Sequence, residues 1–181
     1  LSSQSNNRLH FVKRHVDYFT VPVSNLTGAA GAFVWTLNNV PAYTELTAMY
    51  DQYKICGVYV KFMPKQTSAT SCLLADAAKA NARFLTCIDL NDDSPPLTAD
   101  EIRQYETCQV TSIVDTHEVY VKKPLFVNSS GQNVSDWLST ANPSTRWYGL
   151  KYFCEPSGIT GVSQFLFTVE CVFYLCFKNI K

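Results

Sequence analysis

Asp115 and His117 stand two residues apart, a spacing at which a carboxylate could orient an imidazole for general-base work. The rest of such a site is missing. The chain contains no Gly-x-Ser-x-Gly, no His-Glu-x-x-His and no phosphate-cradling glycine loop. Asp-Thr-His at a junction between two strands therefore reads as a turn. The densest acidic run is Asp89-Leu90-Asn91-Asp92-Asp93. Asp89, Asp92 and Asp93 supply hard oxygen donors and are weak candidates for a calcium site. The preferred reading is a loop in which Asn and Asp bond their own backbone, ended by Pro95-Pro96. No catalytic residue, cofactor or resident metal is expected, and the chain is read as no enzyme.

The basic residues are more informative. Charge is balanced overall, with 15 Lys and Arg against 15 Asp and Glu. Yet Arg8, Lys13 and Arg14, with His10 and His15, precede the first acidic residue, Asp17, and Lys178 and Lys181 close the chain. If the first and last strands are neighbours, these ends converge on one surface. That surface would suit nucleic-acid phosphates, with Phe11 or Tyr18 available for stacking. It would equally suit a solvated strand edge guarded by lysine against unwanted pairing.

The elements that must position these residues are mostly strands. Leu9–Val23 reads as the first, and a short apolar run, Ala32–Leu37, follows a Gly/Ala/Asn/Ser loop. Pro41 opens a helical run, Ala42–Tyr50. Tyr53–Phe62 then alternates with period two, placing Cys56, Val58, Val60 and Phe62 on one face. Further strands are predicted at Arg83–Leu90, Cys108–Val114, Glu118–Lys123, Trp147–Glu155 and Gln164–Lys178. Thr98, with Glu101 three residues later, opens a second short helix ending near Tyr105. The last strand alternates Phe165, Phe167, Val169, Cys171, Phe173, Leu175 and Phe177, and its other face is also partly apolar. Such a strand belongs in the middle of a sheet. Tyr148, Leu150, Val169, Cys171 and Phe173 are predicted to share one core.

A chain of 181 residues forms one domain and buries roughly 70% of its unfolded surface. Its composition, 46% hydrophobic and only 17% charged, leaves many side chains in need of cover, some of it from neighbouring subunits. The seven cysteines, without a Cys-x-x-Cys, read as small buried hydrophobes rather than a zinc site or disulfide framework. No run reaches the roughly 18 apolar residues of a membrane helix. Seven or eight strands with two short helices predict an all-β single jelly roll of two packed four-stranded antiparallel sheets over residues 9–181. Residues 1–8 are expected to be a flexible segment. The long loops Lys65–Ala82 and Leu125–Arg146 are expected at subunit contacts or on an outer surface.

The ordered blocks resemble the capsid proteins of circular Rep-encoding single-stranded DNA viruses, the circovirus-like group. Tyr50-Asp-Gln-Tyr53 leading into Val58-Tyr-Val-Lys-Phe62 is similar to their early helix-to-strand block. Asp89–Pro96 followed by Thr98–Thr107 resembles their acidic loop and short helix. Val119-Tyr-Val-Lys-Lys-Pro-Leu125, then Trp137–Ser144 with Tyr148-Gly-Leu-Lys151, continue the match as far as the last strand, ending Phe177-Lys-Asn179. The resemblance implies a T=1 icosahedral shell of sixty copies around circular single-stranded DNA, found in the virion and assembled in the host nucleus. It also implies an arginine-rich arm that binds the genome and is not in this sequence, so residues 1–8 are expected to be its stub. The first rival is a carbohydrate-binding jelly-roll module stacking sugars on Trp35, Trp137 or Trp147. A cupin-type enzyme is the second, and three dispersed histidines fit it poorly.

Overall fold

Two antiparallel sheets face each other across an aromatic core. The computed structural model describes residues 9–24, 26–65, 82–156, 158 and 164–181. In the first sheet β1 (Leu9–Pro22), β11 (Gln164–Ile180), β3 (Tyr50–Pro64) and β6 (His117–Lys122) lie side by side in that order. The short β9 (Leu138–Ser139) adds to the start of β3. The second sheet runs β2 (Ala29–Trp35), β10 (Trp147–Cys154), β4 (Arg83–Ile88) and β5 (Gln109–Ser112). A two-residue pair, β7 (Phe126–Val127) with β8 (Asn133–Val134), stands apart. The first and last strands do pair, from Leu9 opposite Phe177 to Pro22 opposite Gln164. This is the predicted jelly roll. The extra short strands β7, β8 and β9 occupy the segment read as one long loop, Leu125–Arg146. The loop Lys65–Ala82 lies, apart from its two end residues, outside the described residues.

Both helices are shorter than their sequence patterns. α1 covers Tyr43–Met49 and follows Ala42, which takes a left-handed φ of 58°. α2 covers Ala99–Arg103, and the Thr98 hydroxyl accepts from the Glu101 N–H at 3.2 Å. The Glu101 carboxylate accepts from the Leu97 N–H at 2.7 Å, one residue earlier than a capping box requires.

The core is built from alternate residues of each strand. Phe62, Phe84 and Phe167 are fully buried, and their rings meet Phe19, Phe33 and Tyr152 at centroid distances of 5.0 Å (Phe62–Phe84) to 6.3 Å (Phe19–Phe167). Leu150, Val169, Cys171 and Phe173 join this cluster as predicted. Tyr148 does not. It is buried on the other face of β10, where its hydroxyl meets Asn133 Oδ1. The cause is a bulge: Gly149 has no partner in β2, and its φ of +148° suits only glycine.

A second bulge corrects two sequence readings at once. In β3, Gly57 opposes Tyr174 and Ile55 opposes Leu175, so Cys56 is the extra residue. It leaves the core face that strict alternation assigned to it. There it reaches Cys176, which the pleat of β11 places on the same side, and the two form a disulfide with Cα atoms 6.5 Å apart. Cys56 and Cys176 are thus not independent small hydrophobes. Cys87, Cys154 and Cys171 are, with burial raising their thiols to about 12, 12 and 11. Cys72 lies outside the described residues.

Candidate nucleic-acid interface

The two sheets differ in what covers their outer faces. Over the second sheet, Leu85, Cys87 and Ile102 form a small buried cluster with Tyr105 and Phe153 against it, so α2 acts as a lid. The acidic loop belongs to the same lid. Lys151, on the outward side of β10, is only 5% exposed. Its ammonium donates to Asp89 Oδ2 at 2.7 Å and Asp92 Oδ1 at 2.8 Å. Burial acts to lower the Lys151 pKa, but the two carboxylates more than offset it and hold the group protonated. Burial likewise opposes ionisation of Asp89, yet Lys151, the Tyr105 hydroxyl and the Asn91 N–H keep its carboxyl below the usual range. Asp93 pairs with Arg146 at 2.7 Å. All three aspartates offered as calcium donors therefore face cationic side chains of the chain itself.

His117 belongs to the core. It is 1% exposed, with Nε2 at 2.6 Å from Thr86 Oγ1 and Nδ1 at 2.9 Å from Thr111 Oγ1. Two threonines hold the imidazole, and Asp115 takes no part. Burial lowers the His117 pKa to about 4. The unfolded chain, near 6.5, binds the proton first, so stability falls as pH drops from about 6.5 towards 4. The full loss is about 3 kcal/mol. Urea midpoints measured across this window should fall more steeply for wild type than for His117→Gln, and parallel curves would count against a neutral buried imidazole.

The outer face of the first sheet carries no such lid among the described residues. Register assigns its residues. Arg14 opposes Val172, Val172 opposes Tyr59, and Tyr59 opposes Tyr120. The next row holds Val12, Tyr174, Gly57 and Lys122, and the row beyond Arg14 holds Val16, Glu170, Lys61 and Glu118. Tyr18 is 68% exposed, Tyr120 48% and Tyr174 38%. Tyr120 and Tyr174 meet edge to face at 5.7 Å, and a Cβ on Gly57 would collide with the Tyr120 ring. Lys65 Nζ lies 3.8 Å above the Tyr18 ring, and Lys178 Nζ lies 4.4 Å above Trp137.

Of the five basic residues singled out from the sequence, the four that the structure describes do not share one face. Arg14 lies on this outer face, in an ion pair with Glu170 at 2.7 Å. Lys178, opposite Gln52, shares the same side by its pleat. Lys13, opposite Phe173, points to the core side of the edge strand, because neighbours along a strand face opposite ways. Lys181 turns back to the end of α1, donating to the Thr47 carbonyl at 2.6 Å. Arg8 lies outside the described residues. His10 sits on the outer face beside the disulfide, its Nδ1 3.2 Å from Cys176 Sγ. Sequence reasoning missed Lys61, Lys122, Tyr120 and Tyr174, although period-two alternation in each strand would have grouped them once the strand order was known.

Comparison with known proteins now decides the family. The model of the circovirus capsid protein family matches residues 2–181. The chain belongs to this family. It is thus a viral capsid protein, and its sandwich is that of solved capsids. The decameric crystal structure of the BFDV capsid protein aligns with a TM-score of 0.65 at 13% identity, covering 96% of this chain and 100% of that one. The 60-mer crystal structure of the BFDV capsid protein gives 0.66 at 12% identity, covering 97% and 96%. Tobacco necrosis virus gives 0.59 at 9% identity, covering 97% of each chain. No curated protein matches this capsid protein. Of the three tryptophans named for sugar stacking, Trp35 and Trp147 are buried in the core of this capsid protein, and Trp137 lies half-buried beneath Lys178.

Proposed function

We propose that this capsid protein assembles as sixty copies into a T=1 shell enclosing circular single-stranded DNA, as a structural protein without enzymatic activity. The family match along residues 2–181 carries the reading, and the BFDV capsid protein, similar in fold, is solved as a 60-mer. Electrostatics shape the rest. A genome of roughly 1,000 nucleotides shared by sixty subunits presents about 17 phosphates per chain. A body of zero net charge does not neutralise that number. An arginine-rich arm upstream of Leu1 would supply most of the cations, and the nucleus is where such a protein would meet the genome. The folded body contributes by polarity. Its acidic loop and α2 cover the second sheet, and the outer face of the first sheet, without such a lid among the described residues and carrying Arg14 and Lys178, turns to the interior. Lys13 and Lys181 border it as weaker phosphate contacts, and Arg8, outside the described residues, is a further candidate from the sequence.

The test is the mass of the purified product and what it holds. Megadalton particles with nuclease-resistant single-stranded DNA are expected on expression of the chain behind an arginine-rich arm. Stable monomers that bind oligosaccharide would instead favour the lectin-like module.

A further inference from the structure

We infer that the outer face of the β1-β11-β3-β6 sheet is a stacking platform for the bases of single-stranded nucleic acid, with the rings of Tyr120 and Tyr174 meeting over Gly57 of β3 and Tyr18 on the far edge strand β1. This deepens the reading that the shell encloses single-stranded DNA and rests on it.

Three observations carry the inference. The first is accessibility: the second sheet is covered by α2 and the acidic loop, and the first sheet leaves tyrosine rings open to solvent. Every base has a π-face, so exposed rings on a sheet take unpaired bases without regard to sequence. A duplex keeps its bases stacked inside and offers no such partner. The second is charge. Arg14, Lys54, Lys61, Lys65, Lys122 and Lys178 stand on or over this face, against two carboxylates, Glu118 and Glu170. The chain as a whole is neutral, so this excess of four is a polarisation of the molecule. Arg14 and Lys61 are engaged by the two acids, and Lys122, beside Gly57, pairs with no acid among the described residues. The third is interleaving. Lys122 is adjacent to the Tyr120–Tyr174 pair and Lys65 lies on the Tyr18 ring, so phosphate and base contacts alternate along a strand crossing the sheet. A second copy of the same face is a poor occupant, because two positive surfaces would meet.

The test is ultraviolet crosslinking of oligo(dT) to purified particles and dissociated subunits, read by peptide mass. Tyr120→Thr and Tyr174→Thr keep a strand-forming residue, and Tyr120→Phe and Tyr174→Phe keep the ring. Crosslinks should map to peptides carrying Tyr120 and Tyr174. The double Thr variant should bind oligo(dT) about tenfold more weakly, and the double Phe variant within about twofold of wild type. Both should sediment as wild-type particles. Crosslinks confined to the acidic-loop side, equal affinity of the Thr variant, or no binding would overturn the inference. So would tyrosines shielded from nitration in DNA-free particles, which would make this face a contact between subunits. Nuclease-resistant DNA in the particles is scored separately. Particles lacking it whose subunits still crosslink at Tyr120 would sink genome enclosure and leave the platform standing. Particles rich in DNA crosslinked elsewhere would do the reverse.

Discussion

Replacing Lys151 by methionine is expected to destabilise the folded subunit by about 3–5 kcal/mol. The loss comes mostly from Asp89. Its carboxylate is 4% exposed and would keep the Tyr105 hydroxyl and the Asn91 N–H but lose its only cation among the described residues. Asp92 is more than half exposed at its side chain and regains water, so Asp92→Asn should cost far less. Adding Asp89→Leu to the Lys151→Met variant should recover much of the loss, since a buried pair replaced as a unit leaves no lone charge. Urea denaturation of dissociated subunits measures all three. A Lys151→Met midpoint equal to wild type would show that the pair carries no stability and that the apolar cluster around Ile102 holds the lid over the second sheet without it.

Phe173→Ala should cost about as much, 3–5 kcal/mol, by a different route. Phe173 is 1% exposed and lies between Lys13 of the edge strand and Val58 of β3 in register. Removing its ring leaves a cavity against Leu175, Cys171 and the second sheet, which cannot collapse because strands on both sides are fixed by their ladders. Soluble subunit and particle yield should both fall sharply. A variant that melts and assembles as wild type would place Phe173 outside the core.

Much of this arrangement was legible in the chain. Phe165 to Phe177 alternate so regularly that β11 had to face a core on one side, and the apolar residues between them required a neighbour on each edge. The capping residue Thr98 marks the start of α2 to within a residue, while its end falls two residues short of Tyr105. Local spacing did less well where the pleat breaks. Strict alternation puts Cys56 and Tyr148 on the wrong faces because a bulge adds one residue, and every side chain beyond it changes sides. Neither bulge has a local signal stronger than a glycine, Gly57 beside the one and Gly149 at the other.

The charged residues divide the same way. That the chain is a strand-rich domain, one core thick, follows from the sequence itself, because period and composition are local properties that survive any rearrangement of the strands. Which charges act together does not. Asp89 and Lys151 are 62 positions apart and meet only because the loop folds over β10. Arg14, Lys61 and Lys122 share a face because β11 and β3 are interposed between β1 and β6, and Lys13 is excluded from it by a single step of the pleat. Strand order and register set those neighbours. They are decided by long-range pairing, whose energy is nowhere written in the spacing of adjacent residues.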